Sequence, residues 1–174
     1  MVKILHVSQS LGGVANSLNL IFSNIDRSKY ALTLVAPRNE HLEARVQAAA
    51  HSYVPLEMRR EVGLHDAADL KRLISIARSE PFSIIHCHSA KAGVLGRLAA
   101  AVLRRPVIYS PRGWSFLSQE GWKVGFFRTI ERQMVRFTTR LVVASKSEAD
   151  LGIDEVGFRE SSVSIVNNSF FPTE

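Results

Sequence analysis

The feature that most constrains this chain is a repeated alternation. Short runs of almost purely apolar residues are each followed by a longer segment whose apolar side chains recur at helical spacing. The apolar runs fall at residues 2–8, 31–36, 53–56, 83–88, 107–110, 140–144 and 162–166. Helical periodicity fills the intervals at 14–25, 40–50, 66–78, 90–103, 121–139 and 146–156. Pro37, Glu80-Pro81, Pro106 and Pro111 punctuate the boundaries. Strands that are apolar throughout are buried on both faces, which requires a parallel sheet with helical crossovers on either side. The expected fold is therefore α/β: a Rossmann-like, doubly wound parallel sheet of about seven strands with helices on both faces.

With 174 residues, 46% of them hydrophobic, the chain has material for one such core. The net charge of +6 favours anionic partners without choosing among phosphate, acidic lipid and nucleic acid. A basic nucleic-acid binder rests on that charge alone, with no recognition motif behind it, and no nucleic-acid partner is expected. The single cysteine, Cys87, excludes an intrachain disulfide and suits a reducing compartment, so the expected location is cytoplasmic. The apolar start is short and interrupted by Lys3, unlike a signal peptide.

In such sheets ligands bind at the carboxyl ends of the strands, where strand order reverses. Gly12 and Gly13 stand just before a helix, where bare backbone can meet a phosphate; a tight strand-to-helix turn explains the pair equally well. The dinucleotide fingerprint and the Gly-Lys-Ser/Thr phosphate loop are both missing, which disfavours nicotinamide chemistry and ATP hydrolysis.

His86 and His88 share one strand face, with Cys87 on the other. No third ligand stands at a diagnostic spacing, so no metal is expected; His88 is expected to hydrogen-bond in the cleft and His86 to be a satisfied core histidine. Lys91 opens the next helix and is a candidate to hold an anionic acceptor. The loop Tyr109-Ser110-Pro111-Arg112-Gly113-Trp114 carries a guanidinium suited to phosphate or carboxylate and an indole suited to stacking on a sugar or to packing. Arg128, Arg132, Arg136 and Arg140 recur every four residues beside an apolar stripe of Trp122, Phe126, Ile130, Met134 and Phe137. That stripe is expected to pack on the sheet, with Glu131 and Glu148 among the arginines' partners. A basic amphipathic helix from Trp122 to Arg140 also allows peripheral contact with an anionic membrane.

Three motifs occur together in one order. Leu11-Gly12-Gly13-Val14, then His86-Cys87-His88-Ser89-Ala90-Lys91-Ala92-Gly93-Val94-Leu95-Gly96-Arg97, then Tyr109 to Trp114 resemble the amino-terminal domain of family 4 glycosyltransferases. Val143-Ala144-Ser145-Lys146-Ser147-Glu148 resembles that family's following segment.

The resemblance implies a GT-B architecture, in which two Rossmann-like domains face a cleft and a sugar moves from a nucleotide-diphosphate donor with retention of configuration. It implies no cofactor, the nucleotide-sugar being a substrate, and usually no metal. Gly12 and Gly13 then match the loop that meets the donor diphosphate, and Lys91 matches a position facing the acceptor; His88, Ser89 and Trp114 are the further acceptor-binding candidates. Arg112 stands where members commonly have histidine near the transferred sugar, which makes it the candidate catalytic position.

Residues 1–166 are expected to form the acceptor-side domain and 167–174 to begin an interdomain linker, with Asn168-Ser169 in place of the more usual Asn-Gly. The carboxyl-terminal donor domain, with its paired glutamates, is expected to be absent from this chain. The expected function is the amino-terminal half of a glycosyltransferase acting on a glycolipid or polysaccharide acceptor, as in lipopolysaccharide or exopolysaccharide synthesis, inactive as this fragment. Its expected place is the cytoplasm, on the inner face of the membrane. The alternative is a stand-alone anion- or nucleotide-binding module without catalytic activity.

Overall fold

A computed structural model of the protein describes residues 1–9, 12–59 and 61–167. The alternation resolves into β1 (Val2–Ser8), α1 (Gly12–Asn24), β2 (Tyr30–Ala36), α2 (Glu40–Ala48), β3 (Ser52–Pro55) and α3 (His65–Ser79). The chain continues through β4 (Ile84–His88), α4 (Ala90–Leu103), β5 (Val107–Ser110), α5 (Trp122–Met134), β6 (Arg140–Val143), α6 (Lys146–Leu151) and β7 (Val163–Ile165). All seven strands form one parallel sheet in the order β3-β2-β1-β4-β5-β6-β7. Strand order reverses between β1 and β4, so their carboxyl ends define the crevice expected of a doubly wound sheet.

Side chains alternate across each strand and feed two separate cores. Leu5, Val7, Ile85, Cys87, Tyr109, Leu141 and Val143 pack with residues of α3, α4 and α6 on one face. On the other, Leu32, Leu34 and Ala36 pack with Val14, Leu18 and Phe22 of α1 and Leu42 and Val46 of α2. Two glycines let α4 press close to the sheet. A Cβ on Gly93 would lie 2.4 Å from the Tyr109 ring, and one on Gly96 would lie 2.2 Å from Cys87 Sγ. The helical spacing of small residues in that segment thus serves strand contact.

Several expected elements end differently. The helix expected over 121–139 stops at Met134 and tightens into a 3₁₀ turn at Val135–Phe137. The one expected over 146–156 is α6 followed by a π-helical turn, Gly152–Val156, closed by Gly157 at φ 95°. Gly12 and Gly13 are the first residues of α1 rather than a loop before it. The Asn168-Ser169 stretch read as a linker entry lies outside the described residues.

Candidate functional site

The carboxyl end of β5 runs into Pro111-Arg112-Gly113, where Arg112 (φ 58°) and Gly113 (φ 96°) both adopt left-handed backbone. For a residue with a Cβ this conformation costs about 1–2 kcal/mol, so neighbours must hold it. Glu148 supplies the hold: its Oε1 accepts the Gly113 N–H at 3.0 Å, and its Oε2 accepts the Ala144 N–H at 2.8 Å. Ser145 Oγ in turn accepts the Glu148 N–H at 3.2 Å and caps α6. The sequence shows Glu148 as half of a capping box; its second duty across the sheet end is visible only in three dimensions.

So positioned, Arg112 donates from Nη1 to Ser17 Oγ of α1 at 3.3 Å. Its guanidinium lines two cavities at once. One, of about 310 Å³, lies toward α1 and is lined by Ser17, His86, Ser110, Ala144, Glu148 and Asn167 among others. The second, of about 570 Å³, opens toward α4 and α5 between Gln9, Ser89, Lys91, Ser115, Gln119 and Phe127. Burial lowers the Arg112 pKa and the nearby Glu148 carboxylate opposes that shift.

The predicted site residues divide between these spaces and the core. Gly12 and Gly13 are exposed at the α1 amino terminus, and a Cβ on Gly13 would touch nothing within 4 Å, so the backbone there is open to a ligand. Ser89 and Lys91 line the second cavity. Ser89 takes φ 70° at the start of α4. The Lys91 ammonium is already surrounded: it pairs with Asp66 Oδ1 at 2.5 Å, donates to the Glu61 carbonyl, and sits 3.4 Å from His65 Nε2. An anionic acceptor reaching Lys91 must displace the Asp66 carboxylate.

His88 and Trp114 both turn away from the cavities. His88 is fully buried, its Nε2 3.0 Å from His6 Nδ1, whereas His86 lines the first cavity and bonds Ser110 Oγ at 3.0 Å. The cleft histidine and the core histidine are thus the reverse of the expected assignment, because the cavity opens nearer β5 than the end of β4. Trp114 is 2% exposed, stacks on Phe116, and donates from Nε1 to the Glu148 carbonyl at 3.0 Å. Its ring is a packing element, and of the two expected roles the structure shows the second.

A third histidine, distant in sequence, lies beside His86 and His88. Parallel pairing of β1 with β4 sets His6 opposite His86, and one ring nitrogen from each of His6, His86 and His88 lies within 4.8 Å of the others. Spacing within one strand could not reveal a partner some eighty residues earlier. Burial, foremost, and then the neighbouring positive groups hold all three imidazoles neutral: the His6 pKa falls to about 3, and those of His86 and His88 well below the usual value.

The expected packing of α5 is only half realised. Trp122 and Phe126 are 75% and 45% exposed rather than packed on the sheet. Arg128 pairs with Glu155 Oε2 at 2.9 Å and Arg132 donates to the Glu155 carbonyl at 2.7 Å. Glu131, an expected surface partner, is instead buried: it accepts from Arg97 Nη2 at 2.9 Å and from the Tyr109 hydroxyl at 2.8 Å. No helix among the described residues is long and apolar enough to cross a membrane.

A seven-stranded parallel sheet with its strand-order switch between β1 and β4 and helices on both faces defines the Rossmann-like α/β class. The chain belongs to the glycosyl transferase 4-like domain family, whose model matches residues 12–169. It is 26% identical over 175 residues to the Escherichia coli UDP-Gal:alpha-D-GlcNAc-diphosphoundecaprenol alpha-1,3-galactosyltransferase, covering 96% of this chain and 44% of that protein. It is 30% identical over 104 residues to the Escherichia coli O-antigen biosynthesis glycosyltransferase WbnH, covering 60% of this chain and 31% of that protein.

The chain therefore spans less than half the length of these relatives. Among solved structures, a glycosyltransferase from Rickettsia africae superposes with a TM-score of 0.74 at 10% identity, covering 95% of this chain and 42% of that one. Anabaena Alr3699/HepE in complex with UDP and glucose gives 0.68 at 18% identity, with coverage of 98% and 45%. At those identities the structural likeness speaks to the fold.

Proposed function

We propose that this chain is the acceptor-side half of a retaining glycosyltransferase that moves a sugar from a UDP-sugar onto a lipid-linked saccharide. The observation that carries the reading is Arg112, a mostly buried cation shared by two cavities at the strand-order switch. Transfer breaks the bond between the anomeric carbon and the diphosphate, and negative charge grows on the departing oxygen. A fixed guanidinium and open backbone N–H groups at Gly12 and Gly13 are suited to stabilise that charge. The name of the galactosyltransferase relative supplies the donor and acceptor classes, and the HepE complex supports a uridine nucleotide.

The second cavity, with Ser89 and Lys91, takes the acceptor, and displacement of Asp66 from Lys91 accompanies binding of its phosphate. The nucleotide-sugar enters as substrate, held largely by a second domain as in proteins of twice this length. Exposed Leu117, Trp122 and Phe126 at the rim suit contact with the cytoplasmic membrane surface that carries a lipid-linked acceptor. The test is transfer of labelled sugar from a panel of UDP-sugars to a diphospholipid-linked saccharide by the product of the complete reading frame. Labelled lipid product supports the reading. Binding of UDP-sugar with no transfer to any lipid-linked or free saccharide would favour a binding module instead.

A further inference from the structure

We propose that the cavity between α4 and α5 is a slot for the lipid end of the acceptor. The diphosphate sits at Ser89 and Lys91, and the first carbons of the lipid alcohol run along Phe127 and out over Phe126 and Trp122. The proposal rests on the transferase reading for the kind of ligand. Its test measures binding by this chain rather than sugar transfer, so the two can fail separately.

The cavity changes character along α4. Ser89 and Lys91 stand at the helix start, where backbone N–H groups of the first turn lack helical partners and favour an anion. Ser89 Oγ is buried with no hydrogen-bond partner among the described residues, and a phosphate oxygen would satisfy it. Arg112, on the same carboxyl edge of the sheet, adds a second cation. Two carboxylates also line the space. Glu131 is neutralised by Arg97, and Asp66 holds Lys91 until a more highly charged anion takes its place. Three residues on from Lys91, about 4.5 Å along the helix axis, Val94 makes the wall apolar, with Phe127 and Ile130 of α5 lining the same space.

From Phe127 the apolar surface continues outward as a ladder of rings. The Phe127 centroid lies 5.5 Å from that of Phe126, which lies 5.9 Å from that of Trp122. Exposure rises in the same order, from half-buried Phe127 to 45% at Phe126 and 75% at Trp122. Large apolar side chains exposed in a row mark a binding surface. A cavity of about 570 Å³ has room for a diphosphate and a short length of hydrocarbon, so a long lipid must leave it, and the ladder is an apolar way out. Neither feature alone selects an amphiphile; a cationic end joined to an apolar exit does.

Calorimetric titration of the chain with dimethylallyl, geranyl and farnesyl diphosphate, and with inorganic diphosphate as the chainless reference, tests the slot. Each buried methylene should tighten binding by about 4-fold, so geranyl diphosphate should bind at least about 10-fold more tightly than dimethylallyl diphosphate. The double change Trp122→Ser with Phe126→Ser, at two exposed positions, should remove most of the further gain of farnesyl over geranyl diphosphate and leave dimethylallyl diphosphate binding unchanged. Lys91→Gln should weaken the whole series by a similar factor. Tryptophan fluorescence should shift to the blue with farnesyl diphosphate but not with inorganic diphosphate, and Trp122→Phe should abolish the shift. Equal affinity across the series, a farnesyl gain that survives the double change, or farnesol binding as tightly as farnesyl diphosphate would overturn the proposal. So would binding to phosphatidylglycerol vesicles by a chain with no affinity for farnesyl diphosphate, which would make the ladder a membrane-facing surface only.

Discussion

The Glu148 carboxylate accepts the backbone N–H of Gly113 at 3.0 Å, tying the loop that carries Arg112 to the first turn of α6. The same carboxylate takes the Ala144 N–H, so one side chain registers the ends of two neighbouring strands. Glu148→Ala should therefore cost about 1–3 kcal/mol in urea denaturation, since it strands two backbone donors. Glu148→Gln, which keeps an acceptor for one of them, should recover part of that loss. Equal losses in both would mean that the carboxylate's charge rather than its hydrogen bonds matters.

The Arg97–Glu131–Tyr109 cluster couples α4, β5 and α5 in a buried setting. Arg97→Met leaves the Glu131 charge without its partner, and about 3–5 kcal/mol of stability should be lost. The double change Arg97→Met with Glu131→Leu should cost less than Arg97→Met alone. Thermal denaturation of these two variants and of Glu131→Leu alone decides this; strictly additive losses would contradict the coupling.

Gly96 is where α4 meets the sheet most closely. Gly96→Ala places a methyl against Cys87 Sγ and should cost about 1–3 kcal/mol. Adding Cys87→Ala removes the sulfur, so the double variant should regain much of the loss. A double-mutant cycle by chemical denaturation measures the exchange.

Acid should destabilise the chain through its buried histidines. An unfolded histidine binds a proton below about pH 6.5, whereas folded His6 resists protonation down to about pH 3 and His86 and His88 are held well below their usual value. Below pH 6.5 the unfolded state therefore binds more protons than the folded one, and stability falls as pH falls, by about 1.4 kcal/mol per pH unit for each proton of difference. Above pH 7 the histidines contribute no slope. Denaturation midpoints collected from pH 8 to pH 4 should show a plateau and then a steep decline.

Sequence periodicity revealed most of the fold because a sheet buried on both faces leaves apolar runs that nothing else imitates. The break after β5 was legible for a different reason, since Pro111 cannot continue a central strand. What escaped the sequence was pairing across long separations. His6 joins His86 only through strand register, Glu131 finds Arg97 only through helix packing, and Asp66 reaches Lys91 only once α3 lies against α4. The sequence left Trp114 open between stacking on a sugar and packing, and the indole turns inward to Phe116 and Phe158.

The most direct test of the account is the transfer rate of Arg112 variants of the complete protein, compared with their affinity for UDP. If Arg112 stabilises the departing diphosphate, Arg112→Ala should lower kcat by about 100-fold or more, with Arg112→Lys intermediate and UDP binding far less affected. An Arg112→Ala protein that turns over at the unaltered rate would contradict the role assigned to the residue on which both cavities converge.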